Sequence, residues 1–163
     1  MGYYLMHKDQ VIAKADDYEI TEIENKDLCP VCIKVGTPLS HWLEYRCVDI
    51  HRSHSRQLFK ALRLQNNVSI DKIIEVGHGI TITDNWWIQK DDENLDYSSL
   101  RSYNKAIADI ALFGSSRSHM RGLIGYTELG TIGSYEKAWR YIDNEWYMFK
   151  QGNNAELLSE YYS

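Results

Sequence analysis

Cysteine is scarce in this chain: Cys29, Cys32 and Cys47 make an odd count of three, which does not build a disulfide framework. No apolar run approaches the ~20 residues that a membrane-crossing helix needs. The stretch from Met1 to Asp9 has neither a basic leader nor a small-residue cleavage site, so a cytoplasmic protein without membrane attachment is the expectation. Positive charge is in deficit, 18 Lys and Arg against 23 Asp and Glu, and the net charge of −5 opposes nonspecific nucleic-acid binding by the chain as a whole. Also missing are internal repeats, low-complexity tracts, a Walker P-loop, a GxGxxG fingerprint, a Ser–His–acid set and a paired-carboxylate arrangement. Hence no catalytic residue and no metal site is assigned.

What is present reads as an α+β fold. Apolar residues at 44% and charged residues at 25% suffice for a packed core, and 163 residues allow one domain with a real core or a modest domain plus a partial second. Tyr3 to His7 and Val11 to Lys14 flank Lys8-Asp9-Gln10 as a hairpin, and Tyr18 to Ile23 alternates as a third strand of a small antiparallel sheet. Pro38 suits the first turn of a helix through Leu43, and Ser53 or Ser55 suits the start of another through Leu64, with Leu58, Phe59 and Leu62 inward. Asp71 to Val76 reads as one further short helix. Gly79 to Gln89 reads as a turn entering a short apolar strand, followed by the solvated stretch Asp91 to Asn94. Asp96 or Ser98 then opens a helix to about Leu112, closed by Gly114. This unit is taken as residues 1–114, a linker as 115–122, and a last segment as 123–163.

Two local clusters carry chemistry. Cys29-Pro30-Val31-Cys32 has the spacing of half a zinc site or of a redox pair, and Cys47, His51 and His54 could complete a ligand set. Against that, the flanking Ile33 and Val35 favour a buried or half-buried strand with small apolar thiols in a core. Between Trp42 and Arg63, the basic residues Arg46, Arg52, Arg56, Lys60 and Arg63 face only Glu44 and Asp49, which makes a candidate basic face for nucleic acid or a solvated surface.

In the last segment Gly130 to Lys137 introduces two apolar-rich runs, Ala138 to Ile142 and Glu145 to Lys150, joined by the hairpin signal Asp143-Asn144. A helix follows, with Leu157, Leu158, Tyr161 and Tyr162 on one face and Glu156 and Glu160 on the other. Gly133 and Ser134 could offer backbone N–H groups to phosphate oxygens, and Lys150, 16 residues beyond Ser134, could return beside them as a point charge.

Four stretches resemble HipA-like serine/threonine kinases of the Firmicutes and mobile-element type: Trp42 to Arg56, Ile80 to Trp87, Gly130 to Trp139, and Tyr147 to Gly152. The resemblance covers the front part of that family and implies part of a kinase N-lobe. It implies that Gly133 and Ser134 match the ATP loop, that Lys150 matches the ATP-phosphate lysine, and that Glu160 (rather than Glu156) matches its helix partner. ATP with magnesium is the cofactor so implied. The family's catalytic Asp, metal-binding Asn and second Asp belong to a C-terminal lobe that these residues do not match, so phosphoryl transfer by the chain alone is not expected. The expected function is a non-catalytic binding or regulatory module acting through a protein partner: a kinase C-lobe, an antitoxin-type regulator or a host defence effector. An inhibitor of a host defence protein, similar to an anti-CRISPR, is the alternative, and nucleic-acid binding through the basic face is the second.

Overall fold

The computed structural model describes residues 2–46, 51, 54–64, 69, 72, 76–101, 105–114 and 137–150. Three strands follow one another directly: β1 (Gly2–His7), β2 (Gln10–Asp16) and β3 (Glu19–Ile23). Lys8, at φ 52°, turns the first hairpin, and Asp17 and Tyr18, at φ 45° and 65°, turn the second. Paired positive-φ residues match the twist of the strands they join. A bulge between Leu5 and Met6 leaves Ile12 as an extra residue on β2, where its side chain is fully buried.

The fourth strand, β4 (Trp86–Lys90), pairs antiparallel with β1, so the sheet order is β3-β2-β1-β4. Its two faces bury different sets because alternate residues point to opposite sides. On one face Leu5, Ile20 and Ile88 meet Leu39 and Leu43 of α1 (Leu39–Glu44). On the other, Met6 and Trp87 meet Ile80, together with Tyr97 and Leu100 of a four-residue helix, α3 (Tyr97–Leu100). Pro38 stands at the N-cap of α1, at φ −64° and ψ 131°, one position before the first helical turn.

Helix α2 (Ser55–Ala61) packs Leu58 and Phe59 against Ile107 and Ile110 of α4 (Lys105–Phe113). His54, at φ 66°, takes the N-cap place, and no side chain caps the helix. Every residue from Ala106 to Leu112 is buried, and Ala108, Ala111 and Leu112 cover Ala138 of β5 (Lys137–Ile142). A helix apolar on nearly all sides is one enclosed by neighbours. Gly114, at φ 78°, ends α4 by donating its N–H to Ile110 O at 2.8 Å. β5 turns through Asp143 and Asn144, at φ 50° and 64°, into β6 (Glu145–Lys150).

Two expectations need correction. The helix expected from Asp96 or Ser98 to Leu112 is two helices: Arg101 leaves helical geometry at ψ 45°, and its guanidinium donates to Ile82 O at 2.9 Å. The Cys29–Val35 segment is a series of turns, not a strand, each closed locally: Ile33 N–H to Pro30 O at 2.9 Å and Thr37 N–H to Lys34 O at 2.9 Å. The helix proposed for Asp71 to Val76, the linker at 115–122 and the terminal helix fall largely or wholly outside the described residues. Among the described residues no helix is long and apolar enough to cross a membrane.

Asp109 on α4 is buried between Lys105 at 2.8 Å and Arg140 of β5 at 2.8 Å. Asp109→Ala would leave the Arg140 guanidinium buried without its carboxylate, at a cost of about 3 kcal/mol. Lys105 is exposed, and Lys105→Ala should change stability by less than about 1 kcal/mol. Urea denaturation of the two variants checks the contrast.

Candidate functional site

The sequence candidates separate in space. Gly133, Ser134, Glu160 and Arg52 lie outside the described residues. Lys150 is exposed at the end of β6, and its register partner is Lys137 of β5. Two cations therefore share the open end of the hairpin, and Lys137 follows Ser134 by three residues. Arg56 and Lys60 are exposed one turn apart on α2, and Arg63 is exposed beyond it.

Arg46 is no part of that face. Its side chain is buried, and Nη1 and Nη2 reach the Asp84 carboxylate at 2.6 and 2.7 Å in a bidentate pair. Nε donates to Gly79 O at 2.8 Å, Nη2 to Trp86 O at 3.0 Å, and the guanidinium lies 4.2 Å from the Trp42 ring centroid. A planar fork matched by carboxylate and carbonyls can be buried because each donor finds an acceptor. Gly79 permits the approach: at φ 61° it is left-handed, and a Cβ there would meet Leu43 Cδ2 at 2.7 Å. Asp84, in the stretch read as a turn entering β4, is thus the counter-ion of the buried Arg46 guanidinium.

His78 is a second residue that spacing did not single out. Its backbone carbonyl accepts from Ile88 N–H at 2.8 Å, and its Nδ1 donates to Ile88 O at 3.0 Å, so it closes the outer edge of β4. Burial pushes the imidazole below its ordinary value. Glu93 and the Ile88 carbonyl oppose that shift, and Lys90 adds to it.

Cys29 is half-buried and Cys32 exposed, both as free thiols. Burial, then the neighbouring Cys32, pushes the Cys29 thiol up, which is opposite to what an activated nucleophile requires. Cys47 lies outside the described residues, and among those described no group of three His, Cys, Asp or Glu could hold a metal ion.

The side chains left at the surface are more telling. Of the large hydrophobics exposed among the described residues, Tyr141, Ile142, Tyr147 and Phe149 all sit on the β5–β6 hairpin at 43–45% exposure. Its face with Ala138 and Arg140 packs on α4, and the opposite face carries Trp139, Tyr141, Trp146 and Met148. The Trp139 and Trp146 rings meet edge-on at 6.4 Å, and Tyr141 lies 5.0 Å from Trp146. A second group surrounds the 29–38 loop. Val31 and Val35 are 96% and 64% exposed, on either side of the buried anchor Ile33. Grooves of about 520 and 620 Å³ flank that loop; the larger is lined in part by Pro38, His41, Trp42 and Tyr45.

Two measurements test this geometry. Asp84→Ala strands the Arg46 guanidinium in the interior and should lower stability by about 3–5 kcal/mol, read by denaturant midpoint. For His78, the unfolded imidazole titrates near pH 6.5 while the folded one titrates lower, so between those values the unfolded chain binds the extra proton. Its contribution is full above about pH 6.5 and is lost as the pH falls through the window below. Thermal melts at about pH 7.5 and 5.5 should show a drop on acidification that is smaller in His78→Gln. No family model, no curated protein and no solved structure matches this chain.

Proposed function

We propose that the chain is a non-catalytic binding or regulatory module, of HipA-like kinase descent, that acts through a protein partner. The observation that carries this reading is the concentration of exposed Tyr141, Ile142, Tyr147 and Phe149 on one hairpin that is itself anchored by Ala138 and the Asp109–Arg140 pair. Ile142, Tyr147 and Phe149 share the strand face of Ala138 and Arg140, and Tyr141 stands on the opposite face. Exposed apolar side chains gathered on an anchored hairpin mark an interaction site. The buried ionisable groups Arg46, Asp109 and Arg140, by contrast, are engaged in internal pairs that hold the fold.

The resemblance adds a seat for nucleotide phosphate at the open end of the hairpin. Its support is the register that sets Lys150 opposite Lys137, close in sequence to the loop residues Gly133 and Ser134. A partner such as a kinase C-lobe would complete a site that this chain supplies in part.

Photocrosslinking in cells from a benzoylphenylalanine at position 147, with position 92 as an exposed control, tests the partner. The expected result is a discrete adduct from position 147 only, and equal background at both positions overturns the reading. Calorimetry with Mg-ATP tests the phosphate seat: saturable binding should weaken about tenfold or more in Lys150→Ala. No heat with either protein would remove the nucleotide from the proposal and leave the partner.

A further inference from the structure

We propose that the smaller groove beside the 29–38 loop is a docking site for an apolar segment of another protein that carries flanking carboxylates. This rests on the reading of the chain as a binding module, but it uses a different surface. The loop is held in place before any partner arrives. Glu24 and Asn25 N–H groups donate to Ile12 O at 2.9 and 3.1 Å, and Trp86 Nε1 donates to Leu28 O at 2.9 Å. Gly36 N–H donates to Ile20 O at 2.7 Å, and Ile20 N–H donates to Thr37 O at 3.0 Å. Pro30 and Ile33 are the buried apolar residues of this segment, yet Val31 stands out from the surface almost completely. A β-branched side chain held in water on a rigid turn offers contact area whose ordering cost is already met.

Charge selects the occupant. The groove of about 520 Å³ has an apolar lining that includes Ile23, Pro30, Val31 and Val35, and its charged members are both lysines, Lys26 and Lys34. No carboxylate lines it, and the nearby Glu24 is already bound to Lys14 at 2.6 Å. Neither lysine ammonium has an ion-pair partner among the described residues. In a chain with a net charge of −5, an uncompensated cationic rim on an apolar groove favours an acidic ligand and rejects a basic one.

The test uses the full chain and immobilised short peptides with a central apolar pair, each made with glutamate flanks and with lysine flanks. Glutamate-flanked peptides should bind saturably and weaken about tenfold in Val31→Asp, which lies too far out to disturb the core. In the double variant Lys26→Glu and Lys34→Glu the preference should invert to lysine flanks, and this inversion is a readout that misfolding cannot produce. Binding of neither series, or binding indifferent to both changes, overturns the proposal. So does a concentration-dependent dimer in sedimentation that Val31→Asp abolishes, because the groove would then belong to a second copy. Position 147 is on the hairpin, so its crosslinking result stands or falls separately.

Discussion

A guanidinium buried at the end of α1 ties together elements that the chain order keeps apart. Arg46 follows the helix that covers one face of the sheet, and Asp84 begins the approach to β4. Removing two charges from water costs several kcal/mol each, so such a pair relies on further hydrogen bonds to its remaining donors. Here the Gly79 and Trp86 carbonyls accept from them, and the Trp42 ring lies against the guanidinium. The Asp84 carboxylate also accepts from Trp86 N–H at 3.1 Å, and the Asp84 carbonyl accepts from Tyr97 Oη at 3.2 Å. Tyr97 N–H in turn donates to Asp9 at 2.9 Å. A line of polar contacts therefore runs from the helix on one face, around the sheet edge, to the first hairpin and the short helix on the other.

The same segment protects the sheet. Edge strands present unpaired N–H and C=O groups that invite pairing with another chain. His78 occupies both groups of Ile88 on β4, and the 36–39 turn occupies Ile20 on β3, where Glu19 and Pro38 also form a bridge. Both outer edges of the four-stranded sheet are thus engaged at these positions, and recognition elsewhere on the described surface can draw on exposed side chains. The exposed apolar ones cluster on the hairpin and around the 29–38 loop, the two places where our functional reading puts it.

Helix α4 joins the remaining parts. It is short, but nearly every side is used: Ile107 and Ile110 toward α2, Ala108 and Ala111 toward β5, and Asp109 toward Arg140. Small alanines allow the hairpin to approach closely, and the ion pair orients it. The hairpin's outer residues are thus presented on a fixed base, which reduces the ordering cost of any contact they make.

Local chemistry made much of this legible. Lys8-Asp9, Asp143-Asn144 and Gly114 are turn and cap signals read over a few residues, and the alternation of β1 to β3 needs only the pleat. For the same reason the return of Lys150 beside the start of β5 was visible from the hairpin alone, while Gly133, Ser134 and Glu160 stay outside the described residues. What composition could not separate was an exposed arginine from a buried one: Arg46 belongs to a basic run, and only the arrival of Asp84, 38 residues later, decides its role. Arg101, which ends α3 by reaching Ile82, and Val31, left outside by turns that close around Ile33, are decided in the same way. The sequence by itself determined the hairpin turns, the first three strands and the glycine-closed end of α4, because those depend on neighbours within a turn. The tertiary structure alone decided which charges are spent inside and which apolar side chains remain at the surface, because burial is set by residues distant in the chain.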